Sequence, residues 1–266
     1  MKIVVAALQL AAVPGAVDRN LARFAALARE QCAGADLIVA PELLAAGYDL
    51  DMLAAEGPAL AETLDGRTIT LAGELAAELS STVVVGLIER DGDALYDSVA
   101  VVAPEGRVSS YRKTHLYPPE RAHFASGDRL TTVATPAVRL GPLICFEHAF
   151  PEVATALALA GAQILVIPSA VPYGYEHLMT LRTRARAQDN QLFAVASNLA
   201  GDVFCGGSLI ADPRGDVLAQ AGSGEEVVRA RVDLGEIERE REREPALGLR
   251  RPELYGTVTR DEPARR

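Results

Sequence analysis

Three residues of this 266-residue chain have the side chains needed for covalent catalysis at a carbonyl or nitrile carbon. Cys145 stands in "GPLICFEHAFPE", where an apolar run meets a thiol and a Pro-Glu pair opens a helix. Glu42 closes "LIVAPE" and Lys113 closes "SSYRK", and Cys145, Glu42 and Lys113 all fall at the carboxyl ends of predicted strands. In open α/β sheets, ligands collect beyond those ends. A thiol becomes a strong nucleophile only as the thiolate, so a base must lie within hydrogen-bond reach. A carboxylate can be that base if burial raises its pKa towards neutrality, against the opposing pull of a nearby ammonium. Attack builds negative charge, which an ammonium and a backbone N–H can stabilise. The turn after Cys145 can aim the N–H of Phe146 at that charge.

Each residue also has a plain explanation. A strand-end cysteine commonly fills a core, and Glu42 alone reads as a rim carboxylate. Lys113 is harder to explain that way. Of 26 basic residues only Lys2 and Lys113 are lysines, so a chain that otherwise uses arginine keeps an ammonium here. An ammonium is a compact point charge that fits beside a forming oxyanion, where a guanidinium fork crowds it.

The elements that must position these residues come in two similar runs. The first has a strand "KIVVAALQL", an amphipathic helix "VDRNLARFAALAREQ", a strand "ADLIVAPE" and a long helical region through "ITLAGELAAELSS". A strand "TVVVGLIER" and a hairpin "LYDSVAVVAPEGRVSSYRK" complete it. The second repeats the order: strand "RLGPLICFE", helix "FPEVATALALAGAQ", strand "ILVIPSA", helix "HLMTLRTRARAQDN", strand "LFAVASN" and hairpin "GGSLIADPRGDVLAQA". The order predicts an α/β fold with two pseudo-repeated halves. Continuously apolar strands imply sheets covered on both faces, hence two sheets facing each other with helices outside. No linker separates the halves, so one domain over residues 1–266 is expected, with a C-terminal arm from about 236 to 266. "EREREREPALGLRRPELYG" reads as a solvated helix, and the closing "TVTRDEPARR" as a loose tail or an arm on a partner subunit.

Composition narrows the partners. A formal charge of −10 argues against nucleic acid and anionic membrane surfaces. No apolar run reaches the roughly 18 residues of a membrane span. The opening "MKIVVAALQLAAVPG" is broken by Gln9 and reads as a first core strand rather than a leader. Cys32, Cys145 and Cys205 are too few and scattered for a disulfide framework, which fits a reducing cytoplasm.

Together the segments "APELLAAGY", "YRKTHLYPPERAHFASGD" and "GPLICFEHAFPE" resemble the nitrilase superfamily of carbon–nitrogen hydrolases. "ARAQDNQLFAVASN", "GGSLIADPRGDVLAQA" and "RRPELYG" extend the likeness over nearly the whole chain. The resemblance implies a four-layer α-β-β-α sandwich, with a Glu-Lys-Cys triad at Glu42, Lys113 and Cys145. It further implies a second glutamate at Glu120 in "PPERAHF", homo-oligomers built from dimers, and no metal or organic cofactor. The implied activity is an amidase acting on a small carboxamide through a Cys145 thioester, similar to branches that include stereoselective amidases. A nitrilase and an N-carbamoyl amide hydrolase use the same triad and stay open as alternatives. "EHAFPE" departs from the commoner pattern after the nucleophile, and His148 there speaks against acid-recognising branches, some of which use an arginine nearby to bind a substrate carboxylate. Tyr48, His148 and Tyr173 are candidate pocket residues, with Tyr175 beside them.

Other classes fit less well. A non-catalytic binding protein on the same fold has no need of the complete triad. The histidines at 115, 123, 148 and 177 form no i,i+4 pair, and Cys145-x-x-His148 lacks a second half, so no metal site is expected. The Gly-x-Ser-x-Gly elbow of a serine hydrolase is absent.

Overall fold

The computed structural model describes residues 1–256 and 258; apart from Val258, the segment "TVTRDEPARR" lies outside the described residues. In the first half, strand β1 (Lys2–Gln9) leads to helix α1 (Val17–Gln31), strand β2 (Leu37–Val39), and helices α2 (Leu50–Leu60) and α3 (Arg67–Leu79). Strand β3 (Thr82–Asp91) and the hairpin of β4 (Ala94–Val102) and β5 (Val108–Arg112) follow. The long helical region is thus two helices. Glu62 breaks it by accepting the Thr68 N–H and hydroxyl at 2.8 and 2.6 Å, which restarts the helix after Gly66.

A short pair, β6 (Val133–Ala134) and β7 (Arg139–Pro142), opens the second half. Helix α4 (Pro151–Leu159), strand β8 (Ile164–Ser169), helix α5 (Glu176–Asn190) and strand β9 (Phe193–Asn198) come next. The hairpin of β10 (Leu209–Ala211) and β11 (Val217–Gln220) closes it. The expected strand "RLGPLICFE" ends early, at Pro142, for reasons that belong to the site.

With a last strand β12 (Glu226–Asp233), the strands among the described residues form two six-stranded sheets, ordered β12-β1-β2-β3-β4-β5 and β11-β10-β9-β8-β7-β6. Within them β1-β2-β3 and β7-β8-β9 pair in parallel and each hairpin adds antiparallel strands, so the halves share one topology. Strand β12 has no counterpart in the predicted elements. It runs antiparallel to β1 over the full length of that strand, returning the chain to the first sheet. Helix α6 (Gly235–Arg243) then buries Ile237, just ahead of the charged segment, against the inter-sheet core, and Glu240 within the segment, so that segment is partly packed rather than wholly solvated.

Alternation along the strands builds the layers. Val84 points between the sheets with Val39, Val99, Val166 and Val195, whereas Val83 and Val85 point out to α1 and α3. In the second sheet Ile164 and Val166 face inward, while Leu165 and Ile167 meet α4 and α5. The result is the four-layer α-β-β-α sandwich. The same ends of both sheets carry the loops that hold the site.

Candidate active site

Glu42 lies three residues beyond β2, in a turn that packs against β3. Leu43 next to it has φ 44°, and Gly86 on β3 makes the close approach possible. A Cβ at Gly86 would stand 2.6 Å from both Leu43 N and Pro41 O. The carboxyl group of Glu42 is completely buried.

Lys113 follows β5 directly and extends its pairing, donating its N–H to Asp97 O at 2.9 Å. Its side chain is also completely buried, and Nζ donates to three carboxylates: Glu42 Oε1 at 2.5 Å, Glu120 Oε1 at 2.8 Å and Asp97 Oδ2 at 3.0 Å. Glu120 sits in a 3-10 turn, Pro118–Ala122, whose two prolines pre-set the backbone. There Oε2 accepts the Tyr117 N–H and Oε1 accepts the Tyr48 hydroxyl, both at 2.8 Å. One oxygen each of Glu42, Asp97 and Glu120 lies within 4.8 Å of the others, a set with the chemistry to hold a cation. The Lys113 ammonium, bonded to all three, is that cation. Asp97 was not singled out in the sequence: within "LYDSVAVV" it reads as an ordinary strand acid, and only the hairpin register puts it under Lys113.

Cys145 begins a 3-10 turn, Cys145–Ala149, with φ 42°. Among the described residues, the non-glycine positive φ values fall at Leu43, Ser80, Cys145 and Gln191. Ser80 and Gln191 are left-handed helix C-caps, so Leu43 and Cys145 are the two without that ordinary cause. Strained backbone of this kind persists where surrounding bonds over-determine it. Glu147 supplies them. Its buried carboxylate takes the Ile144 N–H at 2.8 Å, which bends the chain out of β7 before Cys145. It also accepts the Tyr111 hydroxyl at 2.8 Å and the Thr114 N–H at 2.9 Å, tying the Cys145 turn to the segment that carries Lys113. These bonds, with one from His115, hold its pKa below the usual carboxylate range although burial pushes the other way. Sequence alone gave Glu147 no role.

A cavity of about 550 Å³ opens over Cys145, a common size for a small-molecule site. Tyr48, Glu120, Phe146 and His148 line it with Cys145, as does Tyr175. Tyr173 does not: its side chain is half exposed outside the lining, and its N–H is held by Val203 O at 3.1 Å. The walls are mostly apolar and aromatic, with Tyr117 edge-on to Phe146 and Tyr48 edge-on to Phe204. Arg182 and His148 supply a polar side. Arg182 Nη1 lies 3.2 Å from His148 Nε2, which must accept from the guanidinium and so leaves the ring proton on Nδ1. Burial, together with Arg182, Arg186 and Lys113, lowers the pKa of His148 to about 3.

Burial pushes the Glu42 pKa well above the carboxylate range, and the charges of Asp97 and Glu120 add to it against the pull of Lys113. Burial would lower Lys113, but Asp97, Glu42 and Glu120 outweigh it and keep the ammonium charged. The Cys145 thiol is raised well above its ordinary value by burial and by Glu42, opposed by Lys113 and a backbone hydrogen bond from Ala170. The resting sulfur is therefore a thiol, facing a carboxyl of raised basicity and a permanent cation. Such a set can transfer a proton off sulfur and stabilise a new anion beside it.

Residues 4–242 match the family model for carbon-nitrogen hydrolases. The chain is 39% identical to an (R)-stereoselective amidase of a Pseudomonas species, over 97% of this chain and 95% of the relative. It is 34% identical to a nitrilase of Pyrococcus abyssi, over 82% and 84%. The crystal structure of a carbon–nitrogen hydrolase from Helicobacter pylori G27 superposes with a TM-score of 0.92 at 25% identity, covering 99% of this chain and all of that one.

Proposed function

The chain belongs to the carbon–nitrogen hydrolase family, and from that premise we propose that it is an amidase that converts a small carboxamide to the carboxylic acid and ammonia. One observation carries the proposal: Lys113 joins Glu42 to Glu120 beneath a cavity that exposes Cys145. Glu42 takes the Cys145 proton as sulfur attacks the amide carbonyl. Lys113 and the Phe146 N–H stabilise the tetrahedral oxyanion. Glu42 then protonates the departing ammonia, leaving a thioester, and draws a proton from the water that hydrolyses it. Glu120, held by Tyr48 and Lys113, orients the amide group from the cavity wall. Each step uses side chains present in the fold, and none needs a metal or organic cofactor.

The aromatic walls and modest volume suit a compact, largely apolar acyl group, and the (R)-stereoselective amidase relative supports the amide over other carbon–nitrogen bonds. The nitrilase relative keeps a nitrile as the second reading. Ammonia and acid release from matched amide, nitrile and N-carbamoyl substrates separates them. Turnover is expected to be fastest on the amide; a faster nitrile or N-carbamoyl reaction overturns the assignment.

The same proposal places the enzyme in the cytoplasm as a homodimer or higher homo-oligomer, one domain with its C-terminal arm from about residue 236. Support comes from three free cysteines and from Leu159 and Leu181, each more than half exposed. Among the described residues no helix is long and apolar enough to cross a membrane. Light scattering on the purified protein tests the assembly, and a monomer at micromolar concentration refutes it.

A further inference from the structure

We propose that Asp97 is a positioning residue that sets the protonation state of Glu42 and anchors Lys113, so that it governs the pH at which Cys145 becomes a nucleophile. This rests on the amidase reading only in taking Glu42 as the base for Cys145.

The geometry sets up an electrostatic problem. Glu42, Asp97 and Glu120 surround one ammonium, and all four side chains are completely or almost completely buried. Fully ionised, the cluster would carry two uncompensated negative charges out of reach of water, which is costly. Two of its oxygens, Glu42 Oε2 and Asp97 Oδ1, have no hydrogen-bond partner among the described residues. A single proton shared between these two carboxyl groups answers both problems. It gives each orphan oxygen a partner and lowers the excess charge from two to one. Glu42 is the group that holds it below its raised pKa and gives it up above that pKa to act as the base, since burial and then the Asp97 and Glu120 charges favour its neutral form.

Every charged or titratable group that bears on Glu42 can be named. Lys113 comes from the segment after β5, Asp97 from β4, Glu120 from the Pro118–Ala122 turn, and Cys145 from the turn after β7. Tyr48 faces the cluster with a hydroxyl that burial and these carboxylates keep protonated. Asp97 does not line the cavity, and its contacts are with Lys113 and Glu42, so it acts through them. A general base is most effective when its pKa lies near the working pH. A third carboxylate, hidden from substrate, is a means of raising it there.

Asp97→Asn removes the charge and keeps an oxygen to accept from Lys113 Nζ. The test is the pH dependence of Cys145 alkylation by iodoacetamide in the wild-type protein and in this variant, read on the Cys145 peptide by mass spectrometry. No substrate is needed, so the outcome is independent of which amide the enzyme takes. The acid limb of the alkylation profile is expected to move down by about one pH unit in Asp97→Asn. An unmoved limb, whatever the change in absolute rate or melting temperature, shows a merely structural residue and overturns the proposal while leaving the amidase reading intact. A wild-type Cys145 inert at every pH overturns both. Should Asp97→Asn not fold, Asp97→Ser also removes the charge, and its profile is judged by the same two outcomes.

Discussion

Lys113 holds the site together. Its ammonium is the counter-ion of three buried carboxylates, so Lys113→Ala leaves them unpaired in the interior. Breaking a buried ion pair from one side typically costs about 3–5 kcal/mol. The variant is expected to lose stability of that order in urea denaturation as well as activity; a fully active or fully stable protein would show that the ammonium is dispensable. Glu42, Lys113 and Cys145 stand out in the sequence as candidates by residue type and strand-end position, and Glu120 only through the family resemblance. Asp97 and Glu147 do not stand out. An acid in a hairpin and an acid two residues past a cysteine look ordinary until strand register and turn geometry give them partners. Tyr173 fails for a related reason: it and Tyr175 are two residues apart in one loop, and only the loop conformation decides which faces the cavity.

At the level of elements, the site depends on backbone that no propensity scale describes. β2 is three residues long and β7 four, and both stop short of the residues they deliver. Glu42 is placed by a turn seated on Gly86, and Cys145 by a turn that Glu147 pins. Gly86→Ala puts a methyl against the Pro41–Leu43 backbone and must push Glu42 away from Lys113. A displacement of about 1 Å at a reacting group can cost on the order of a hundredfold in rate, so kcat/KM should fall by roughly that factor. Unchanged kinetics in a folded Gly86→Ala protein would mean that the turn does not position the base. Strand and helix order were legible from alternation and periodicity, including both hairpins. Strand β12 was not, since "EVVRARVD" mixes charge into a half-buried edge and its partner, β1, lies at the other end of the chain.

For the molecule as a whole, two repeats packed face to face bring residues far apart in sequence to one end of the sandwich. That architecture also buries a titratable ring in the fold. His148 is neutral in the native state, with a pKa lowered to about 3 from 6.5. The sign is fixed by linkage: between those values the unfolded chain binds a proton that the native protein does not. Stability therefore falls as pH drops from about 6.5 towards 3, by on the order of 1 kcal/mol per pH unit. His148→Gln should flatten that part of the acid-denaturation curve, and an identical slope would mean the ring titrates normally. The covalent role of Cys145 is tested most directly by acid-quenching the enzyme during turnover of a carboxamide and weighing its peptides. The substrate's acyl group is expected on the Cys145 peptide of the wild type, and ammonia release should be slowed at least about a thousandfold in a folded Cys145→Ala variant. Ammonia released at the wild-type rate by Cys145→Ala, with no acyl adduct on the wild-type peptide, would contradict that role.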